Sequence, residues 1–111
     1  MLVYVKEAHP GDGDWPMPVP GRGMLNEPVG ETARAVRATE CVKELALDRY
    51  TVVVDDVSDT VNRAFAAWPE RLAVIDVDGT LAFLGAPGPF GFDPRAAERA
   101  LCEVLDRRAI N

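Results

Sequence analysis

Apolar and polar positions along the chain change period several times, and each change marks an element. Leu2, Val3, Tyr4 and Val5 form a short β-prone run that ends in polar residues at Lys6, the pattern of a strand buried on both faces. Residues 9–30 are rich in proline and glycine and show no apolar period, which predicts a long loop, ordered or mobile. Long loops in compact domains often carry function, so this one is a candidate lid or binding surface. Residues 31–47 read as a helix with Ala35, Ala38, Val42 and Leu45 on one face and Cys41 on its flank. A second β-branched run covers residues 51–54, and Asp55, Asp56 and Ser58 then offer capping oxygens to a short helix over about residues 59–67. The runs 72–77 and 80–84 flank Asp78-Gly79, a strong hairpin signal. Asp93 and Pro94 open a last helix as N-cap and first-turn proline, with Ala97, Leu101, Val104 and Leu105 as its apolar stripe and Cys102 off it. Alternating elements followed by a hairpin and a helix predict an α/β sandwich with a mixed sheet.

Composition narrows the function classes. A chain of 111 residues, 48% apolar and 27% charged, is an ordinary globular composition and has room for one domain. Its formal charge of −6 and pI near 4.7 supply no basic stripe for nucleic acid or for an anionic membrane surface. No apolar run is long enough to span a bilayer, and the first residues lack the pattern of a signal peptide, so a cytoplasmic location is expected. Cys41 and Cys102 lie in helical patterns without CxxC or Cys/His spacing, so no disulfide framework, zinc site or other cofactor is expected. As a resolving or regulatory thiol either would be unusual, since lone helix cysteines mostly pack. Asp55, Asp56 and Asp59 suggest helix capping rather than a hard metal site.

Several segments agree in order and spacing with one family. Glu7-Ala8-His9-Pro10-Gly11-Asp12-Gly13-Asp14-Trp15 follows the first strand, and Val54-Asp55-Asp56 and Val61-Asn62-Arg63-Ala64-Phe65 come later. Trp68-Pro69-Glu70-Arg71-Leu72 leads into the hairpin, which closes on Gly88-Pro89-Phe90-Gly91-Phe92. Together they resemble the iodothyronine deiodinase branch of the thioredoxin superfamily over nearly the whole chain. The resemblance implies a thioredoxin-like sandwich with a mixed sheet, a C-terminal hairpin and helix, and a single domain over residues 1–111 that lacks the first core strand and the nucleophile-bearing helix. It also implies thiol-dependent reduction of a small-molecule substrate, either reductive dehalogenation or peroxide reduction. The attacking group in that family is a selenocysteine or cysteine at a helix N-terminus, activated as thiolate or selenolate, and no residue here matches it.

Glu7 and His9 match the family's acid/base pair. Imidazole titrates near neutral pH and can protonate a carbanion-like leaving carbon, and a carboxylate two residues earlier projects to the same side of an extended backbone. The residues alone favour a plainer reading, a solvated carboxylate and a histidine that caps the turn before Pro10; the resemblance brings the acid/base reading level with it. Trp15 either stacks on a substrate ring or covers the core. Pro69 precedes the third core strand, where thioredoxin-like proteins often carry a substrate-facing cis-proline; a trans strand entry is the plain alternative. Arg71 either helps tie substrate-side loops together or forms a surface pair with Glu70. Animal deiodinases hold iodothyronine with a histidine in the long connection and an arginine in the glycine-rich turn. Here Met24-Leu25-Asn26-Glu27-Pro28 contains no histidine, Pro87 stands near the arginine position, and Asp14 is an extra residue before Trp15, so thyroid hormone is not the expected substrate.

In the thioredoxin sheet the nucleophile-bearing strand lies between the strands matched by residues 2–6 and 72–77. Without it, unpaired backbone groups on both would cost about 1 to 3 kcal/mol each when buried. Three arrangements answer this: the natural chain starts further upstream, residues 2–6 pair directly with residues 72–77, or a second copy pairs through an exposed edge to make a homodimer. The expected activity of the 111 residues alone is nil. A non-catalytic thioredoxin-like binding or scaffold module and a peroxiredoxin-like peroxidase are the competing readings.

Overall fold

The computed structural model describes residues 1–110. Its elements are β1 (Leu2–Tyr4), α1 (Glu31–Glu44), β2 (Val52–Val54), α2 (Thr60–Phe65), β3 (Ala73–Ile75), β4 (Leu81–Leu84) and α3 (Pro94–Ile110). The order matches the sequence reading, and every strand is shorter than its apolar run. The fold is α/β, organised as two compact units, residues 1–64 and the chain from Phe65 onward.

In the first unit β1 and β2 run parallel, with Leu2 opposite Val52, Val3 opposite Val53 and Tyr4 opposite Val54, and α1 forms the crossover. The ladder is extended at both ends by Leu2 N–H to Thr51 O and Asp55 N–H to Tyr4 O, both 2.8 Å. The expectation of a first strand buried on both faces is corrected: Leu2 is exposed, and Val3 and Tyr4 are half-buried. Helix α1 packs against β2 with a face one residue away from the expected stripe. Arg34 and Ala38 are buried and Cys41 and Val42 half-buried, whereas Ala35 and Leu45 are exposed. The shift follows from Arg34, whose guanidinium is drawn inward by carbonyls at the end of β2. The helix stops at Glu44 in a Schellman turn, with Ala46 left-handed at φ 51 and Leu47 N–H reaching Val42 O at 2.9 Å.

In the second unit β3 and β4 are antiparallel, pairing Ala73 with Leu84, Val74 with Phe83 and Ile75 with Leu81 around a register shift after Val74. Asp78-Gly79 lies in the connecting turn as expected. Asp76 O accepts from Gly79 N–H, and Gly79 takes φ 86, the left-handed position that closes a type I turn into a hairpin. Asp93 Oδ1 accepts from Ala96 N–H at 3.1 Å and caps α3, with Pro94 first in the helix. Val104 is buried and Ala96, Ala97 and Ala100 are half-buried, while Leu101 and Leu105 face outward, contrary to the expected stripe. The short alanines bring α3 close to β3 and β4.

The hydrogen-bonded strands form two separate two-stranded sheets, and no ladder between β1 and β3 is among those described. Among the described residues the buried apolar set is Ala38, Val74 and Val104, and the buried polar set is Arg34, Asp55 and Asn62. No helix among them is long and apolar enough to cross a membrane.

Candidate functional site

The end of β1 carries a connected set of polar side chains. Glu7 Oε1 accepts from the Tyr4 hydroxyl at 2.7 Å and from Arg37 Nη1 at 2.9 Å. Arg37 also donates through Nη2 to Asn26 O at 3.2 Å, so one guanidinium ties the candidate carboxylate to the far side of the long loop. Glu7 N–H donates to Glu27 Oε2 at 2.8 Å, and Glu27 N–H to Asp12 Oδ1 at 2.9 Å. Burial pushes the Tyr4 phenol far above its ordinary range, reinforced by the bond to Glu7, so the hydroxyl keeps its proton and remains a donor. Burial also raises the Glu27 carboxyl; the N–H of Glu7 opposes this and the charge of Glu7 adds to it.

His9 sits on the loop two residues beyond Glu7. Its Nδ1 lies 3.0 Å from Trp15 O, and its ring meets the Trp15 indole edge-on at 5.7 Å and 75°. The segment between them is a closed turn: Gly13 N–H donates to Pro10 O at 3.0 Å and Met17 N–H to His9 O at 3.3 Å. Gly11 N–H to Leu25 O at 2.8 Å ties that turn to the returning limb of the loop. The long connection is thus tied together by its own backbone hydrogen bonds. Trp15 is 74% exposed, so its indole does not cover the core.

Beneath this set, Arg34 is 4% exposed and donates to Asp55 O and Asp56 O and, through Nη2, to Asp59 Oδ1 at 3.0 Å. Glu27 Oε1 lies 3.8 Å from the same nitrogen, so Glu27 bridges Arg34 to the Glu7 backbone. Asp55, also 4% exposed, accepts from Val61 N–H at 2.9 Å and Asn62 N–H at 2.8 Å, and Asp56 accepts from Thr60 N–H at 3.0 Å. These carboxylates are engaged as helix caps and as the partner of Arg34. Among the described residues no cluster of potential ligands fits a metal ion. A cleft of about 400 Å³ opens beside Arg37, walled by Arg22, Glu27, Pro28, Val36 and Glu40.

Pro69 and Arg71 belong to the second unit. The Trp68–Pro69 bond is cis. Arg71 donates to Gly85 O at 2.5 Å and to Phe65 O at 2.9 Å, so it ties the segment after α2 to the end of β4 rather than pairing with Glu70 on the surface. Gly88 N–H bonds Glu70 O at 2.9 Å, and a Cβ on Gly88 would collide with the Glu70 carboxylate. Cys102 is exposed, and Cys41 is half-buried with its thiol pushed up by burial and by the charges of Glu7 and Glu44, which keeps it protonated and weakly nucleophilic.

The structure therefore brings His9 and Trp15 together and joins Glu7 to Tyr4 and Arg37. Sequence reasoning singled out Glu7, His9 and Trp15 and missed Tyr4, Glu27, Arg34 and Arg37. The signal for the arginines was present: Arg34, Arg37, Ala38 and Cys41 share one helical face, a basic line on the side turned to the sheet.

The first unit thus carries a glutamate and a histidine on the segment after β1, and the second unit a cis-proline ahead of its hairpin. The sequence model described as iodothyronine deiodinase matches residues 1–106. The chain is 35% identical over 113 residues to the type II iodothyronine deiodinase of Petromyzon marinus, covering 97% of this chain and 36% of that protein. It is 31% identical over 113 residues to the human type II enzyme, with 97% and 40% covered. It is 33% identical over 98 residues to the thyroxine 5-deiodinase of Sus scrofa, with 83% and 28% covered. This chain belongs to the iodothyronine deiodinase family. It spans less than half the length of these relatives.

Proposed function

We propose that the chain is the acid/base and substrate-side part of a thioredoxin-like, thiol-dependent reductase acting on a small organic halide or peroxide. In this reading a thiolate or selenolate, which the 111 residues do not supply, attacks the halogen of a carbon–halogen bond. The carbon leaves with the bonding pair and takes a proton from His9, while the halogen stays on the chalcogen. Two thiol equivalents then release halide, form a disulfide and restore the nucleophile. Glu7, fixed by Tyr4 and Arg37, sets the charge beside that transfer. Trp15 flanks His9; within the second unit Arg71 holds the turn after α2 to the end of β4, next to the cis Pro69, as a substrate-binding segment of its own. A cytoplasmic thiol pool would serve as reductant, and pairing through the free edge of a short sheet would give a homodimer.

The observation that carries the reading is the joint presence, on the segment that follows β1, of a carboxylate held by two donors and a histidine held by a backbone carbonyl. The test is a chimera in which the nucleophile-bearing strand and helix of the lamprey relative are joined ahead of Leu2. Thiol-driven dehalogenation that falls at least about 100-fold in His9→Asn supports the role of His9, since a positioned general acid is worth about 10² to 10⁴. Turnover indifferent to His9→Asn overturns it.

A further inference from the structure

We infer that the turn carrying Trp15 locks His9 into one tautomer, with the fixed proton on Nδ1 and Nε2 left as the nitrogen that takes up and gives away protons. The argument begins with the partner. A carbonyl oxygen can only accept, so the 3.0 Å contact between His9 Nδ1 and Trp15 O requires a proton on Nδ1. In the neutral ring the lone pair is then on Nε2; in the imidazolium Nε2 carries the second proton and the bond to Trp15 O is unchanged. The proton available for transfer is therefore always the one on Nε2.

Both partners are set by the same turn. Met17 N–H returns to His9 O, Gly13 N–H to Pro10 O, and Gly11 N–H to Leu25 O, so the turn holds the carbonyl of Trp15 in reach of Nδ1. The edge-on indole limits rotation of the ring. Glu7, which by sequence spacing would be the natural orienting group, is instead engaged at Oε1 by Tyr4 and Arg37. Trp15 is thus a positioning residue that acts through its backbone oxygen and its ring edge. The catalytic meaning of this arrangement rests on the function proposed above, but the tautomer belongs to the chain itself.

His9 is the only histidine, so selective ¹⁵N labelling gives one pair of ring signals. Long-range ¹H–¹⁵N correlation on the 111-residue protein, at a pH where the ring is neutral, is expected to show a pyrrole-type Nδ1 and a pyridine-type Nε2. A protonated Nε2, or averaged shifts for the two nitrogens, overturns the inference. Trp15→Phe keeps the carbonyl and an aromatic edge and should retain the pattern. Trp15→Gly loosens the turn and should lose it, with amide shifts outside residues 9–17 unchanged; a retained pattern in the glycine variant contradicts the role given to Trp15. If Trp15→Gly does not fold, the parent protein and Trp15→Phe still decide the tautomer. In the chimera, Trp15→Gly should lower kcat more than it raises KM and move the pH limb of the general acid. An Nδ1–H pattern together with a harmless His9→Asn would refute the proposed function and leave this inference standing; the reverse pair of results would do the opposite.

Discussion

At the residue scale, Glu27 is the side chain whose environment works most plainly against its charge. Burial holds its carboxyl above the ordinary range, so the folded state retains the proton to a higher pH than the unfolded chain does. By linkage, the stability associated with protonated Glu27 is fully present below the unfolded carboxylate range and is lost as pH rises through the elevated folded value. Glu27→Gln keeps an acceptor for Glu7 N–H without the charge, so it should flatten that fall and gain stability relative to the parent near neutrality, less so near pH 4. Urea titrations at the two pH values check this, and a variant that loses stability equally at both would contradict it. The two thiols give a second prediction. Exposed Cys102 should alkylate readily at neutral pH, whereas Cys41, half-buried and held protonated, should react slowly and speed up only at alkaline pH. Peptide mapping after timed iodoacetamide treatment distinguishes them.

At the element scale, two helix ends make opposite predictions. Asp55 receives backbone N–H groups at the start of α2, so Asp55→Ala removes a buried cap and should cost about 2 kcal/mol or more, while Asp55→Asn should retain part of it. Ala46 occupies the left-handed position that ends α1, so Ala46→Gly should stabilise by about 1 kcal/mol. Chemical denaturation measures both, and a destabilising Ala46→Gly would contradict the assigned turn. These two ends were not equally legible in the sequence. Asp55 stood out because acidic residues followed a β-branched run; Ala46 did not, because alanine signals helix rather than its end. For the same reason the expected faces of α1 and α3 were right at Ala38, Val42, Ala97 and Val104 but wrong at Ala35, Leu45, Leu101 and Leu105. An apolar stripe locates a face only when apolar residues fill it, and here Arg34 takes the inner position on α1 and small alanines take it on α3. Glu7 and His9 could be read because they lie together in the chain. Their partners Tyr4, Arg37 and Glu27 converge only after the loop closes.

At the scale of the whole molecule, the balance between apolar residues and apolar burial is unusual. Nearly half the chain is apolar, yet the buried apolar set among the described residues is Ala38, Val74 and Val104. Ile75, Val77 and Leu81 around the hairpin and Leu101 and Leu105 on α3 remain exposed. With so little area removed from water, the stability of the 111-residue chain should lie at or below the lower end of the usual 5 to 15 kcal/mol. It should also enhance the fluorescence of an anilinonaphthalene dye in native buffer; a sharp, high-temperature unfolding transition with no dye binding would contradict this. Membership of the iodothyronine deiodinase family and sparse apolar burial among the described residues are compatible, because the chain covers less than half of its relatives' length.

The proposal turns on Glu7 and His9 serving as acid/base groups for a nucleophile supplied from outside these 111 residues. The direct measurement is turnover by the isolated chain, with a small dithiol and an aromatic iodide or a peroxide as substrate. The account predicts a rate no greater than that of the dithiol alone, unchanged by Cys41→Ser. Catalysis by the isolated chain that disappears in Cys41→Ser would make Cys41 the nucleophile and contradict it.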